Sequence, residues 1–146
     1  MRLAVASDHA GFEGSTPYKP AIIKHLHSRG HEILDYGPQG PDPVDYPDYA
    51  GKVCRAVLQG EAERGVLICG TGIGVAMAAN RYKGIRAATC ATPDMARMAR
   101  THNDANIICV GRRILSLEKC IELIDIWLDT EFSEAERHKR RIKKMG

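Results

Sequence analysis

Five short apolar runs recur along the chain, and helical patterning or a helix-start signal follows each of them. Residues 3–6, 31–36, 65–69, 85–91 and 107–110 read as strands. The third, Gly65-Val-Leu-Ile-Cys69, is almost continuously apolar, as a strand covered on both faces must be. Residues 21–28, 49–58, 74–80 and 93–101 read as the intervening helices. Gly30 stops the first, and Thr92-Pro93 caps and opens the fourth. Ser116 caps a further helix carrying Leu117, Ile121, Ile124, Trp127 and Leu128, and a polar helix follows over about residues 133–145. The proline- and glycine-rich stretches 11–20 and 37–47 read as connections. Strands alternating with helices predict an α/β fold: a three-layer α/β/α, Rossmann-like sandwich around a five-stranded parallel sheet, joined by right-handed crossovers, with a C-terminal helix added.

The chain has 146 residues, enough for one domain (residues 1–146) with a core that needs no disulfide or metal. The apolar run after Met1 is too short for a signal peptide or a membrane span, so the expected setting is cytoplasmic, with no membrane partner. Five cysteines, at 54, 69, 90, 109 and 120, form no Cys-x-x-Cys pair, which argues against a disulfide framework and a structural zinc site. Arg137, Lys139, Arg140, Arg141, Lys143 and Lys144 put six cations in the tail. Removing them from the net charge of +3 leaves the rest of the chain at −3. A basic tail suits an anion or a nucleic acid. Only 5% of residues are aromatic, however, and the acidic body offers no stacking platform, so no nucleic-acid partner is expected.

In open parallel sheets ligands bind beyond the carboxyl ends of strands, where the strand order reverses. Two loops qualify: Ser7-Asp8-His9-Ala10-Gly11 and Cys69-Gly70-Thr71-Gly72-Ile73-Gly74. The second lacks the Gly-x-Gly-x-x-Gly spacing of a dinucleotide loop, because the sixth position is Val75 from Gly70 and Met77 from Gly72. It also lacks the Gly-Lys-Ser/Thr of a Walker loop. What remains is a glycine turn opening a helix, where backbone amides and the helix dipole attract an anion or simply make a tight turn. Cys69 stands at the mouth of that turn, in a field that favours a thiolate, whereas Cys54, Cys90, Cys109 and Cys120 lie within apolar elements. Thr101-His102-Asn103-Asp104 closes a helix and is either punctuation or a site for a charged histidine. Arg137 and Arg141 are four residues apart, on one helix face, a spacing that suits a phosphate clamp or a solvated surface.

These motifs occur in a specific order: Ser-Asp-His-Ala-Gly-Phe (7–12), Val-Asp-Tyr-Pro-Asp-Tyr-Ala (44–50), Cys-Gly-Thr-Gly-Ile-Gly (69–74), Gly-Ile-Arg-Ala (84–87), His-Asn-Asp-Ala-Asn (102–106), Gly-Arg-Arg (111–113) and Arg-His-x-x-Arg (137–141). The set, which spans nearly the whole chain, resembles the ribose-5-phosphate isomerase B family, a family that also contains isomerases of hexose 6-phosphates. The resemblance implies metal- and cofactor-independent interconversion of ribose 5-phosphate and ribulose 5-phosphate through an enediolate. It makes Cys69 the base, with Thr71 in support and His102 helping to open the furanose ring. The amides of Gly70, Thr71, Gly72, Ile73 and Gly74 would hold the enediolate; His9, Arg137 and Arg141 the phosphate; and Asp8, Asn103 and Arg113 the rest of the sugar. It also implies a homodimer with shared active sites, or a tetramer built from such dimers. Some members carry a glutamate after the last glycine and a serine in place of the cysteine; here Val75 and Cys69 mark the cysteine subtype. One departure stands out. Members pass from Gly-Phe almost directly into the first helix, whereas residues 13–20 here make a longer loop beside Asp8-His9, placed to reshape the sugar pocket.

The chemistry fits without the resemblance, since an aldose–ketose shift needs one group to take a proton from carbon and return it one carbon away. The competing readings are a hexose 6-phosphate isomerase, a sugar-phosphate binding module without turnover, and a nucleic-acid binder using the basic tail.

Overall fold

The computed structural model describes residues 1–146. β1 (Arg2–Ser7) is followed by a short 3-10 turn (His9–Phe12) and α1 (Tyr18–Ser28). Next come β2 (Glu32–Asp35), α2 (Tyr46–Leu58), β3 (Arg64–Cys69), α3 (Ile73–Ala79), β4 (Ala87–Thr89), α4 (Pro93–Thr101) and β5 (Ile107–Gly111), and the chain ends in α5 (Leu117–Asp129) and α6 (Glu136–Met145). The five strands form one all-parallel sheet in the order β2-β1-β3-β5-β4, as the alternation of elements predicts.

Both faces of the sheet are covered, and the two layers differ in grain. One face presents Leu3, Val5, Val66, Ile68, Ile108 and Val110 to α1, α4 and α5, with Trp127 fully buried among them. The other presents Ala4, Ala6, Leu67, Cys69, Ile107 and Cys109 to α2 and α3. Small residues on that side let the helices approach closely. A Cβ added to Gly65 would lie 2.5 Å from Val53 Cγ1 of α2 and 3.1 Å from Ile107 Cγ1. Arg64 ends the α5 layer: its Nη1 donates to the Trp127 and Leu128 carbonyls at 3.2 and 3.3 Å, while the guanidinium lies over the Trp127 ring.

Four boundaries differ from the sequence reading, each for a local reason. The stretch 11–20 is not all loop, because α1 begins at Tyr18 with Pro17 as its N-cap and Pro20 in its first turn. First-turn N–H groups have no intrahelical acceptor, so a proline there costs no hydrogen bond. By the same logic α2 begins at Tyr46 with Pro47 at its start, rather than at residue 49. β4 is only three residues long. Ile85 N–H is drawn to Tyr82 O and Arg86 N–H to Asn106 Oδ1, which takes the front of the run out of the ladder. α6 starts at Glu136 because Glu134 sits at φ +60°, outside any right-handed helix.

Gly65→Val should overpack the β3–α2 contact and destabilise the protein by roughly 1–3 kcal/mol. Urea unfolding should show a lower midpoint with an unchanged slope, and an unchanged midpoint would mean that the small-residue face is not tightly packed.

Candidate active site

The strand order reverses between β1 and β3, and the two candidate loops lie side by side there. The Asp8 N–H donates to the Ile68 carbonyl (3.1 Å), which ties the β1 loop to the end of β3. The Asp8 carboxylate is buried and accepts the Ala10 N–H (2.8 Å), capping the 3-10 turn. His9 Nδ1 accepts the Val44 N–H (3.3 Å), so the neutral ring carries its proton on Nε2.

Cys69 closes β3 on the small-residue face and is 4% exposed. Its Sγ accepts the Gly72 N–H at 3.1 Å, which fixes the sulfur under the turn. Gly72 sits at φ +80°, and a Cβ there would stand 3.1 Å from the Val110 carbonyl carbon. A side chain is therefore excluded both by backbone conformation and by β5 behind it. Thr71 Oγ1 accepts the Ile73 N–H (3.1 Å), and Thr89 Oγ1 donates to the Gly72 carbonyl (2.8 Å). Arg112 and Arg113 N–H groups bond the Cys69 and Gly70 carbonyls, both at 2.8 Å, so the loop after β5 braces the turn. Two of the five amides from Gly70 to Gly74, those of Gly72 and Ile73, are thus engaged internally, which leaves those of Gly70, Thr71 and Gly74 for a ligand.

Two residues beside the turn were not singled out in the sequence. The Tyr46 ring crosses the start of α3 so closely that a Cβ on Gly74 would be 2.7 Å from it. The signal was present in the Tyr-Pro pair that opens α2. Glu13 pairs with Arg113 in a two-pronged ion pair, Arg113 Nε to Glu13 Oε2 at 3.1 Å and Nη2 to Oε1. No local pattern announces this pair, because the partners are one hundred residues apart. The loop that holds Glu13 covers residues 13–17, shorter than the stretch 13–20 read from the sequence, since α1 takes its end.

The remaining expected site residues gather elsewhere. His102 caps the C-terminus of α4, with exposed Asn103 after it. Its ring stacks on His138 of α6, centroids 4.5 Å apart, and His138 Nδ1 bonds Ser133 Oγ at 2.8 Å. Burial, then the neighbouring Arg137, His102 and Arg141, hold the His138 imidazole below its usual range. Arg137 and Arg141 are exposed beside it, whereas Lys139 is paired with Glu134 at 3.0 Å. This second cluster is at the other end of the sheet. Gly65 pairs with Ile107 and Cys69 with Gly111, and His102-Asn103 precede the Ile107 end. The four steps between the two registers span roughly 13 Å of strand. One chain therefore brings together Asp8, His9, the 69–74 turn and Arg113, and separately His102, Asn103, Arg137 and Arg141, but does not bring the two sets together.

The ribose/galactose isomerase family model matches residues 3–145. The chain belongs to this family. It is 41% identical over 142 residues to ribose-5-phosphate isomerase B of Escherichia coli, covering 97% of this chain and 92% of that one. Among solved structures it is similar to ribose-5-phosphate isomerase B of Clostridium thermocellum, with a TM-score of 0.95, 45% identity and coverage of 100% and 95% of the two chains. It is also similar to that of Thermotoga maritima, with a TM-score of 0.93, 47% identity and coverage of 99% and 96%.

The other four cysteines have the character of core residues. Burial pushes the thiols of Cys54 and Cys120 up to about 11 and that of Cys90 to about 12. Cys109, fully buried, is raised well above the thiol range by burial and then by neighbouring Cys69, Cys90 and Cys54. A thiol at 11 is ionised in only about one molecule in a thousand at pH 8, and the thiolate is the nucleophile. Iodoacetamide at pH 8 should therefore leave Cys54, Cys90, Cys109 and Cys120 unmodified in the native protein, as read by peptide mass mapping. Rapid labelling at any of them would contradict their assignment to the core.

Proposed function

We propose that the protein interconverts ribose 5-phosphate and ribulose 5-phosphate, with Cys69 as the proton-transfer base. The observation that carries this reading is the Cys69 sulfur, anchored at 3.1 Å under a glycine turn at the sheet's reversal point. The reading is supported by its similarity to the ribose-5-phosphate isomerases B of Escherichia coli and Clostridium thermocellum.

The Cys69 thiolate takes the proton from C2 of the open-chain aldose. The electron pair of that C–H bond becomes the C1–C2 double bond, and negative charge develops on the former carbonyl oxygen. The amides of Gly70, Thr71 and Gly74 are placed to receive that charge, which is where fixed dipoles accelerate such a step most. The protonated sulfur then returns its proton to C1, giving the ketose. Asp8 and His9, fixed by Ala10 and Val44, hold the sugar's hydroxyl groups and phosphate.

His102 is the acid–base group for ring opening, and Arg137 and Arg141 grip the phosphate, all three from a second copy of the chain. A shared site follows from the separation of the two clusters. It is supported by β4, a three-residue strand at the open edge of the sheet. Exposed Ile73 and Met77 of α3 flank that edge on one side, and Met95 and Met98 of α4 flank it on the other. An unpaired edge bordered by four large apolar side chains suits a self-complementary contact. An antiparallel pairing of two copies brings the His102 end of one sheet to the Cys69 end of the other.

Cys69→Ala should lower kcat for ribose 5-phosphate by on the order of 10²–10⁴-fold while leaving binding measurable by calorimetry. Near-normal turnover would remove Cys69 from the mechanism. Cys69→Ala and His102→Ala, refolded together, should regain part of the activity that each lacks. No gain, with mixed dimers present by native mass spectrometry, would place each site within one chain.

Arg137→Ala should depress kcat/KM for ribose 5-phosphate far more than for unphosphorylated ribose, because only the former offers a phosphate to the fork. Lys143→Ala should change neither. Equal losses on both sugars would make Arg137 structural. Allose 6-phosphate and galactose 6-phosphate, assayed alongside, decide between pentose and hexose substrates.

A further inference from the structure

The Glu13 loop is fastened onto the arginine pair that follows β5. Arg112 stacks on the Tyr18 ring at 4.2 Å and donates through Nη2 to the Glu13 carbonyl at 3.0 Å. Gly14, at φ +75°, turns the chain so closely over Arg112 Nη2 that a Cβ would be 2.5 Å from it. The Glu13 carboxylate then closes on Arg113 through both the Nε and Nη2 edges of the guanidinium. Arg113 Nη1 stays over the glycine turn, 3.1 Å from where a Gly70 Cβ would stand. The pairing with Arg113, then the charges of Arg112 and His9, hold the Glu13 carboxyl below the usual carboxylate range, so the competing anion persists at any working pH.

A bidentate edge is what a guanidinium offers a phosphate or a carboxylate. Here the protein has used one such edge, Nε–Nη2, itself. We propose that Glu13 is a specificity-determining residue, an internal anion that takes the Nε–Nη2 edge of Arg113, partly neutralises its charge, and leaves Nη1 and one Nη2 N–H for whatever binds beside Cys69. A ligand phosphate can claim the Nε–Nη2 fork of Arg113 only by displacing Glu13, and at the remaining N–H groups it meets the repulsion of the Glu13 carboxylate. Binding of a phosphate end, or of free phosphate, on Arg113 itself is thereby weakened, and the substrate's phosphate is directed to His9 and the Arg137 and Arg141 fork. The identity of the sugar rests on the isomerase reading; the competition for Arg113 does not.

The test uses the full-length protein and inorganic phosphate as the probe, measured by calorimetry at low salt, so that it is independent of turnover. Glu13→Gln keeps the shape of the side chain and removes its charge, and should tighten phosphate binding by about fivefold, the worth of one exposed ion pair. Glu13→Asp retains the charge and should stay near the wild-type affinity. Arg113→Ala added to Glu13→Gln should abolish the gain. In turnover, Glu13→Gln should lower the inhibition constant of phosphate more than it changes kcat. Unchanged phosphate affinity in Glu13→Gln, or a gain that survives Arg113→Ala, overturns the proposal. A chain that shows the phosphate effect but isomerises none of the sugars tested overturns the isomerase reading instead and leaves this one standing.

Discussion

The parallel pairing of β1 with β3 is the contact on which the rest of the site depends. Leu3 aligns with Arg64 and Ser7 with Ile68, and the ladder runs on into the Asp8 N–H to Ile68 carbonyl bond. That register decides which loop residues face each other across the reversal of strand order. It brings a capped carboxylate and a histidine of fixed tautomer to the same end of the sheet as the cysteine, and the loops' own hydrogen bonds then hold them there. Both strands are buried on both faces, so the register cannot slip by one residue without exchanging Leu3 and Val5 for Ala4 and Ala6 between two unlike layers.

The turn after β3 shows how little freedom the chemistry is given. Its cysteine sulfur is bonded to an amide of its own turn, its threonine to the next amide, and its carbonyls to the loop beyond β5. A base that must reach two adjacent carbons of one substrate gains from such fixity, because misplacement of the reacting group costs rate steeply. The same rigidity accounts for the division of labour with the second cluster. α6 touches its own chain largely through His138, the one buried residue of that helix, and carries three exposed arginines, Arg137, Arg140 and Arg141, that no carboxylate of its own chain pairs with. Under the proposed function, the rigid half handles carbon–hydrogen chemistry and the half carried by α4 and α6 recognises charge.

Strand and helix order was legible in the sequence because burial on both faces leaves an unbroken apolar run and each crossover needs its own helix. Thr92 and Ser116 announced their helices correctly, and each hydroxyl accepts the N–H three residues on. The prolines misled. Pro20 and Pro47 looked like loop residues, yet both lie in first turns, where a missing N–H goes unnoticed. The candidate cysteine and its glycines were legible because chain order puts them at a strand end. That the histidine and arginine cluster lies at the opposite end of the sheet was not, since spacing along the chain is silent about which end of the sheet a residue occupies. Nor was the Glu13–Arg113 pair, which exists only because β1 and β5 end on the same side.

The unequal grain of the two layers has an evolutionary reading. On the Leu3–Val5 side, large aliphatic residues face large aliphatic residues, and isomeric or near-isomeric exchanges can be absorbed by repacking. On the Ala4–Ala6 side small residues interleave with the larger ones and leave less to trade. Changes at Ala4, Ala6, Gly65 or Ala76 are enlargements, and the helices they press on are α2 and α3, the second of which begins in the glycine turn. The two faces of one sheet are therefore unequally constrained: the coarse layer has room to exchange one aliphatic residue for another, while the fine layer holds the glycine turn's position and is tethered to it.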